Sequence, residues 1–189
     1  FAGVAETLDV QIQTLPGFSE IPEVQEDGDT FEANARKKAE AYSLCAPGQI
    51  VIADDSGLSV DALGGSPGVH SARYAARSTT HKPSDSDNNY KLLAELRDDQ
   101  NRSARFVCVI AAARDGQLLG SFRGEAPGEI LVSPRGKRGF GYDPLFYVAE
   151  ANQTFAEMDA ITKSKYSHRG AAFREFLRWY MSTPPREQR

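Results

Sequence analysis

The stretch IVIADDSGLSVDALGGSPGVHSARY, Ile50 to Tyr74, decides the fold. Ile50 to Ala53 form a continuous apolar run, the pattern of a strand covered on both faces. Two carboxylates, Asp54 and Asp55, follow at once, and then Ser56 and Gly57. Paired acids at the end of a buried strand suit a cation, with an Asx turn closing the strand as the competing reading. Successive strand residues point to opposite faces, so Asp55, beside Ser56-Gly57, is the better placed ligand. Its oxygens suit magnesium, which takes one or two protein carboxylates and fills its other positions with water and substrate phosphates. The glycine-rich Gly64 to Gly68 lets backbone amides approach a ligand or simply turns the chain. Arg73 reads as a phosphate ligand or, more commonly for a lone arginine, as a surface ion pair.

Upstream of this stretch, DTFEANARKKAEAYSLCAPG (Asp29 to Gly48) puts Phe31, Ala35, Ala39 and Tyr42 on one helical face, with Lys37 and Lys38 towards the outside. Asp29 and Glu32 have capping-box spacing, and Pro47-Gly48 ends the helix. Helix, short turn and apolar strand in this order predict an α/β sheet. Nearer the N-terminus, Glu20 to Asp29 is an acidic loop, and Val10 to Leu15 alternates as a strand that Pro16, Gly17 and Pro22 break. Phe1 to Leu8 reads as the back half of a helix.

Downstream, Ser78 to Asp87 is loop, and a helix from about Ser86 to Arg97 carries Tyr90, Leu92, Leu93 and Leu96. Ala104 to Ile130 predicts a long hairpin turning at Asp115-Gly116, its first strand central because Phe106 to Ala113 is apolar on both faces. A further strand covers Leu145 to Val148. Phe173, Phe176, Leu177, Tyr180 and Met181 then mark an amphipathic helix capped by Ser167 and stopped before Pro184-Pro185.

Composition narrows the class of function. The 189 residues are 40% hydrophobic and 25% charged with a net charge of −4. One core is enough for this length, and no apolar run approaches the roughly 20 residues of a membrane helix. The acidic balance argues against a nucleic-acid polymer as partner and favours small molecules. Cys45 and Cys108 fit neither a disulfide framework nor a metal spacing, which predicts a reducing, cytoplasmic setting.

Two further clusters carry chemistry. In GFGYD (Gly139 to Asp143), Phe140 or Tyr142 could stack on a base or fill a hairpin core. In KSKYSHRG (Lys163 to Gly170), Lys163, Lys165, His168 and Arg169 gather at a helix start, where exposed amides also favour anions; a solvated basic loop is the alternative. With the acids around Asp55, these donors describe the two halves of a magnesium–nucleotide site.

DTFEANA, ADDSGLSVDALGGSPGVHSARY, GFGYDPLFYV, TFAEM (Thr154 to Met158) and SHRG, in this order from about Asp29 to Tyr180, resemble the Ham1 family of inosine triphosphate pyrophosphatases. The resemblance implies one α/β domain over 1–189, with a long mixed β-sheet, flanking helices and two lobes around a nucleotide cleft, usually a homodimer. It also implies Mg²⁺-dependent hydrolysis of ITP, dITP and XTP to the monophosphate and pyrophosphate. Asp55 would be the metal-binding acid and proton acceptor, Asp54 would support metal and water, and Ser56 would touch substrate. Phe140, Gly141, Tyr142 and Asp143 match the base-side strand, Lys163 the phosphate- or sugar-side lysine, and His168 and Arg169 the pair that contacts the purine. Two departures stand out. The family's opening strand and Ser/Thr-x-Asn-x-x-Lys phosphate loop are not in the sequence given, and Ala33 occupies the position of a second metal-binding acid. Glu32, about 100° round the helix from that position, is a candidate replacement or a capping residue. These departures motivate the alternative of a catalytically impaired nucleotide-binding or sensing homologue.

Overall fold

The helix expected over DTFEANARKKAEAYS forms as α1 (Phe31–Ser43) in the computed structural model, which describes residues 10–76 and 83–182. Its cap is Thr30, one residue later than the Asp29–Glu32 spacing predicts. Thr30 is extended (φ −134°, ψ 153°), and its hydroxyl accepts from the Ala33 amide at 3.1 Å. That satisfies one of the amide donors a helix start leaves unpaired. The Glu32 carboxylate accepts instead from the Ser121 hydroxyl at 2.7 Å.

Strand β1 (Val51–Val60) runs well beyond the apolar stretch that predicts it. Asp54 and Asp55 therefore lie inside the strand and not at its end, which removes the Asx-turn reading and leaves the two acids on opposite faces. Helix α2 (Asp85–Glu95) follows, capped by a reciprocal box between Ser84 and Asp87. β2 (Ser103–Arg114) and β3 (Gln117–Ile130) form the long hairpin. Asp115 (φ 50°) and Gly116 (φ 78°) make its two-residue turn, the left-handed pair that matches strand twist. The end of α1 holds this turn: Gly116 N–H donates to Ser43 Oγ at 2.9 Å, and Gly48 N–H to Asp115 Oδ1 at 2.8 Å.

β4 (Phe146–Val148) and β5 (Gln153–Thr154) complete a five-stranded antiparallel sheet in the order β1-β2-β3-β4-β5. Glu129 lies opposite Tyr147 and Ile130 opposite Phe146, while Tyr147 pairs with Thr154. The α/β class holds, and the pairings among the described strands are antiparallel rather than mixed. Two helices close the chain. α3 (Ala160–Tyr166) is a helix that the sequence reading does not contain, and Asp159 caps it by accepting from the Thr162 amide at 2.7 Å. α4 (His168–Ser182) follows, with Ser167 extended between them.

The chain divides into two compact units. The first takes the described residues of Phe1–Asp55, Cys108–Gly124 and Arg169–Arg189. Here β2 is covered on both faces, as its sequence predicts. Val109, Ala111 and Ala113 pack with Ala35 and Ala39 of α1, while Cys108, Ile110 and Ala112 pack with Ala172, Phe173, Phe176 and Leu177 of α4. Each fully buried Ile or Phe side chain in this layer contributes about 1.5–3 kcal/mol. The second unit is Ser56–Val107 with Glu125–His168. Its core joins Leu58 and Val60 of β1, Leu92 and Leu96 of α2, and the rings of Phe106, Phe146 and Phe155. Phe106 lies 4.6 Å from Phe146 and 5.7 Å from Phe155, centroid to centroid.

Val10 to Leu15 is not a strand. Val10 and Ile12 are half-buried against the cluster around Phe173, and Gln11 between them is exposed. Alternation records which side chains are covered, and ladder hydrogen bonds need a paired neighbour as well. The expected helix over Phe1 to Leu8, the loop residues 77–82 and the Pro184-Pro185 stop lie outside the described residues. Among the described residues no helix is long and apolar enough to cross a membrane.

Candidate functional site

Asp55 is 8% exposed, and α1 fixes its carboxylate. Asn34, in the first turn of α1, donates from Nδ2 to Asp55 Oδ2 at 3.0 Å and to the Gly28 carbonyl at 3.3 Å. Its Oδ1 accepts from the Gly28 amide at 2.8 Å, so the backbone fixes which end of the amide faces the acid. Gly28 has to be small: an added Cβ would stand 2.8 Å from Asn34 Oδ1 and 2.9 Å from the Ala33 Cβ.

One turn along α1, Lys38 reaches the same carboxylate. Its ammonium pairs with Glu26 Oε1 at 2.7 Å and lies 3.9 Å from Asp55 Oδ1. The side chain is only 13% exposed, so the expectation that Lys38 faces outward is corrected. Lys38 is i+4 from Asn34 and i+3 from Ala35, which places it on the covered face, whereas Lys37 is exposed and pairs with Asp27. The second carboxylate gathered on this face is Glu26, from the acidic loop. Glu32, held by Ser121 on the first turn of α1, is not joined to this group by any described contact.

Asp54, on the other face of β1, has different company. Its Oδ2 accepts from Arg169 Nε at 3.1 Å and from the Cys108 thiol at 3.8 Å. Burial first, and then the Asp54 charge, push the Cys108 thiol far above its ordinary pKa, so it stays protonated and unreactive. A cavity of about 530 Å³ lies in this unit, lined by Glu26, Lys38, Tyr42 and Asp54 together with apolar Phe18, Ile21 and Ile52. Small-molecule sites have this size.

Among the described residues no three His, Cys, Asp or Glu side chains are arranged to cage a metal. Asp55 and Glu26 nevertheless fit a hard divalent cation that takes one or two carboxylates and draws its remaining oxygens from water and phosphate.

The second unit holds the aromatic turn. Phe140 is 61% exposed between Gly139 (φ 76°) and Gly141 (φ 61°), both in the left-handed region. Asp143, 3% exposed, accepts from the Phe140 amide at 2.9 Å and from the Lys163 ammonium. Lys163 Nζ lies 5.2 Å from the Phe140 ring centroid and 5.4 Å from that of Phe155, within cation–π range. A side chain at Gly139 would collide with the Asp143 carboxylate. Residues 140–143 form a turn and not a strand, and β4 starts at Phe146.

Tyr142 is core: it is 3% exposed, and its hydroxyl donates to the Ser71 carbonyl at 2.9 Å. The SARY segment is thus architecture, since Ser71 Oγ also accepts from the Leu58 amide at 2.8 Å. His168 is 4% exposed and stacks on Phe106 at 4.7 Å with a 10° tilt. Ser56, half-buried, follows Asp55 along β1.

The sequence also matches a known pattern. The Ham1 family pattern covers residues 1–179. The chain belongs to the Ham1 family. A protein named dITP/XTP pyrophosphatase from Acidobacterium capsulatum is 52% identical over 171 residues, 88% of this chain and 84% of that relative. One of the same name from Thermus thermophilus is 49% identical over 163 residues, 85% and 76% of the two chains. The Staphylococcus aureus Ham1 protein superposes with a TM-score of 0.81 at 39% identity, covering 92% of this chain and 88% of that one. A HAM1 protein from Coxiella burnetii gives 0.84 at 38%, covering 96% and 93%.

Within this Ham1 chain the structure brings together three groups: Asp55 with Asn34, Lys38 and Glu26; Asp54 with Arg169; and Phe140 with Asp143 and Lys163. Asn34, Lys38 and Glu26 are the additions to the residues read from sequence. The i, i+4 spacing of Asn34 and Lys38 is a signal for the first two; nothing local distinguishes Glu26 from its acidic neighbours.

Proposed function

We propose that the chain hydrolyses non-standard purine nucleoside triphosphates, dITP, ITP and XTP, to the monophosphate and pyrophosphate. The observation that carries this is Asp55: a buried carboxylate inside β1, oriented by the Asn34 amide and faced by the Lys38–Glu26 pair. Asp55 accepts a proton from the attacking water as its oxygen bonds to the α-phosphorus. The α–β anhydride bond breaks, and the electron pair leaves with pyrophosphate. A divalent cation, which we take to be Mg²⁺ held by Asp55 and Glu26, supplies charge neutralisation at the phosphate oxygens when bound.

The other groups bind and orient. Asn34 holds the acid in one rotamer, and Lys38 keeps two carboxylates close without mutual repulsion. Lys163 offers its ammonium to phosphate or sugar, Ser56 contacts substrate, and Phe140 presents an exposed ring for the purine. Arg169, with His168 beside it in sequence, donates to a 6-oxo group. Adenine would leave that donor unpaired at a cost of about 1–3 kcal/mol. Glu26 answers the motive for an impaired homologue, since it offers the acid that Ala33 lacks. Relatives named for hydrolysis at 46–52% identity also favour the catalytic reading. A homodimer working in the cytoplasm belongs to the same proposal, and sedimentation checks the dimer.

Pyrophosphate release from dITP, XTP and dATP with Mg²⁺ tests the assignment. Turnover of dITP and XTP roughly 5- to 150-fold above dATP is expected. Equal turnover of dATP would remove the selectivity. Calorimetric binding of dITP with no release would return the sensing reading.

A further inference from the structure

Phe140 sits between two glycines, and such a segment samples a wide range of backbone conformations unless something holds it. Helix α2 does so through Gly141. Gly141 N–H donates to Asp85 Oδ2 at 2.6 Å, and the Gly141 carbonyl accepts from Asn89 Nδ2 at 2.9 Å. Asp85 and Asn89 are four residues apart, on one face of α2. Both polar backbone groups of the glycine that follows the exposed ring are therefore taken by one rigid element. The Asp85 bond is charge-assisted and short, the stronger of the two kinds. Asn89 makes its contact at a cost, because its Oδ1 is buried with no hydrogen-bond partner. Turning the amide over would satisfy nothing at the Gly141 carbonyl, so the side chain is committed to that bond.

We propose that Asp85 and Asn89 are positioning residues for nucleotide recognition: through the Gly141 backbone they fix the orientation of the Phe140 ring without touching the nucleotide. The inference rests on the reading that a purine stacks on Phe140. Together with Asp143 on the Phe140 amide, the clasp orders the turn before substrate arrives, so binding does not carry that ordering cost. Loss of the clasp weakens ground state and transition state alike, which raises KM and leaves kcat.

The test compares steady-state kinetics on dITP with Mg²⁺ for wild type, Phe140→Ala, Asp85→Ala, Asp85→Asn and Asn89→Ala. Amide exchange at Gly141 is measured in the nucleotide-free proteins, and melting temperature serves as a check on folding. Asp85→Ala and Asn89→Ala are expected to raise KM roughly 3- to 30-fold with kcat within about twofold. Asp85→Ala should also speed Gly141 exchange. Asp85→Asn keeps an oxygen acceptor and should restore KM to within about threefold of wild type. If Asp85→Ala does not fold, Asn89→Ala and Asp85→Asn still decide the matter. Unchanged KM in the α2 variants, with KM raised in Phe140→Ala, overturns the clasp and leaves the base assignment standing. Unchanged KM in Phe140→Ala overturns the base assignment, and the clasp's role in recognition falls with it. A fall in melting temperature or kcat without a change in KM overturns the inference in favour of a purely structural contact.

Discussion

The acid face and the aromatic turn solve opposite problems. Asp55 is buried in the middle of a strand and held by side chains of a helix, with the Asn34 amide, the Lys38 ammonium and the Gly28 backbone all converging on it or its partner. Phe140 is exposed on a turn bounded by two left-handed glycines, and its support comes through backbone groups. The proton acceptor proposed at Asp55 has to be held to within a fraction of an ångström, whereas the stacking ring proposed at Phe140 tolerates small displacement. Regular elements suit the first demand. A turn pinned by its main chain suits the second, and leaves the ring surface open.

The comparison breaks most sharply at Asp55. Asp55→Asn keeps the size and the Asn34 contact but removes the proton acceptor, and kcat should fall about 10²- to 10⁴-fold with the melting temperature near wild type. A normal rate would end the assignment of the base. Next come its supports. Asn34→Ala and Glu26→Gln should each lower the apparent Mg²⁺ affinity in pyrophosphate release by roughly 10- to 100-fold. Glu32→Gln, by contrast, should leave it within about twofold. If Glu32→Gln had the larger effect, the choice of Glu26 would be reversed.

On the turn the expected effect is on affinity. Phe140→Ala should raise KM for dITP by roughly 5- to 100-fold through lost stacking, with little change in metal dependence. The smallest effect concerns Tyr142. Burial, above the neighbouring charges, pushes its phenol pKa up in the folded protein. The stability this represents is complete below the ordinary phenol value of about 10 and is lost as pH rises from there through the raised folded value. Urea midpoints measured between pH 8 and 11 should drop more steeply for wild type than for Tyr142→Phe.

How much of this was legible depends on whether the signal was local. Asp55 could be found because two adjacent acids after an apolar run have few structural explanations, although the run's length misplaced them at a strand end. The hairpin turn at Asp115-Gly116 and the two-faced burial of β2 were equally local. Lys38 was readable from its i+4 relation to Asn34, but the lysine type pulled the reading outward. Glu26 was not readable. It sits among Glu20, Glu23, Asp27 and Asp29 in a loop without period, and only the tertiary contact with Lys38 selects it. Helix α3 is absent from the sequence reading despite an available sign, Asp159 three residues before Thr162, because Lys163 and Lys165 were grouped with His168 and Arg169 at the start of the following helix. Phe140 and Tyr142 show why the aromatic turn stayed ambiguous: the same pattern holds a core residue, Tyr142, and an exposed ring, Phe140.

The burial of β2 on both faces has a further consequence, for the chain before it folds. Phe106 to Ala113, FVCVIAAA, carries no charge, no proline and no glycine, the composition of a segment that stacks into cross-β aggregates when left unpaired. Arg105 and Arg114 flank it on either side and act as gatekeepers, since stacking identical strands would pile their charges on one another. Two arginines outside the groups described above thus guard the newly made chain until α1 and α4 cover the strand.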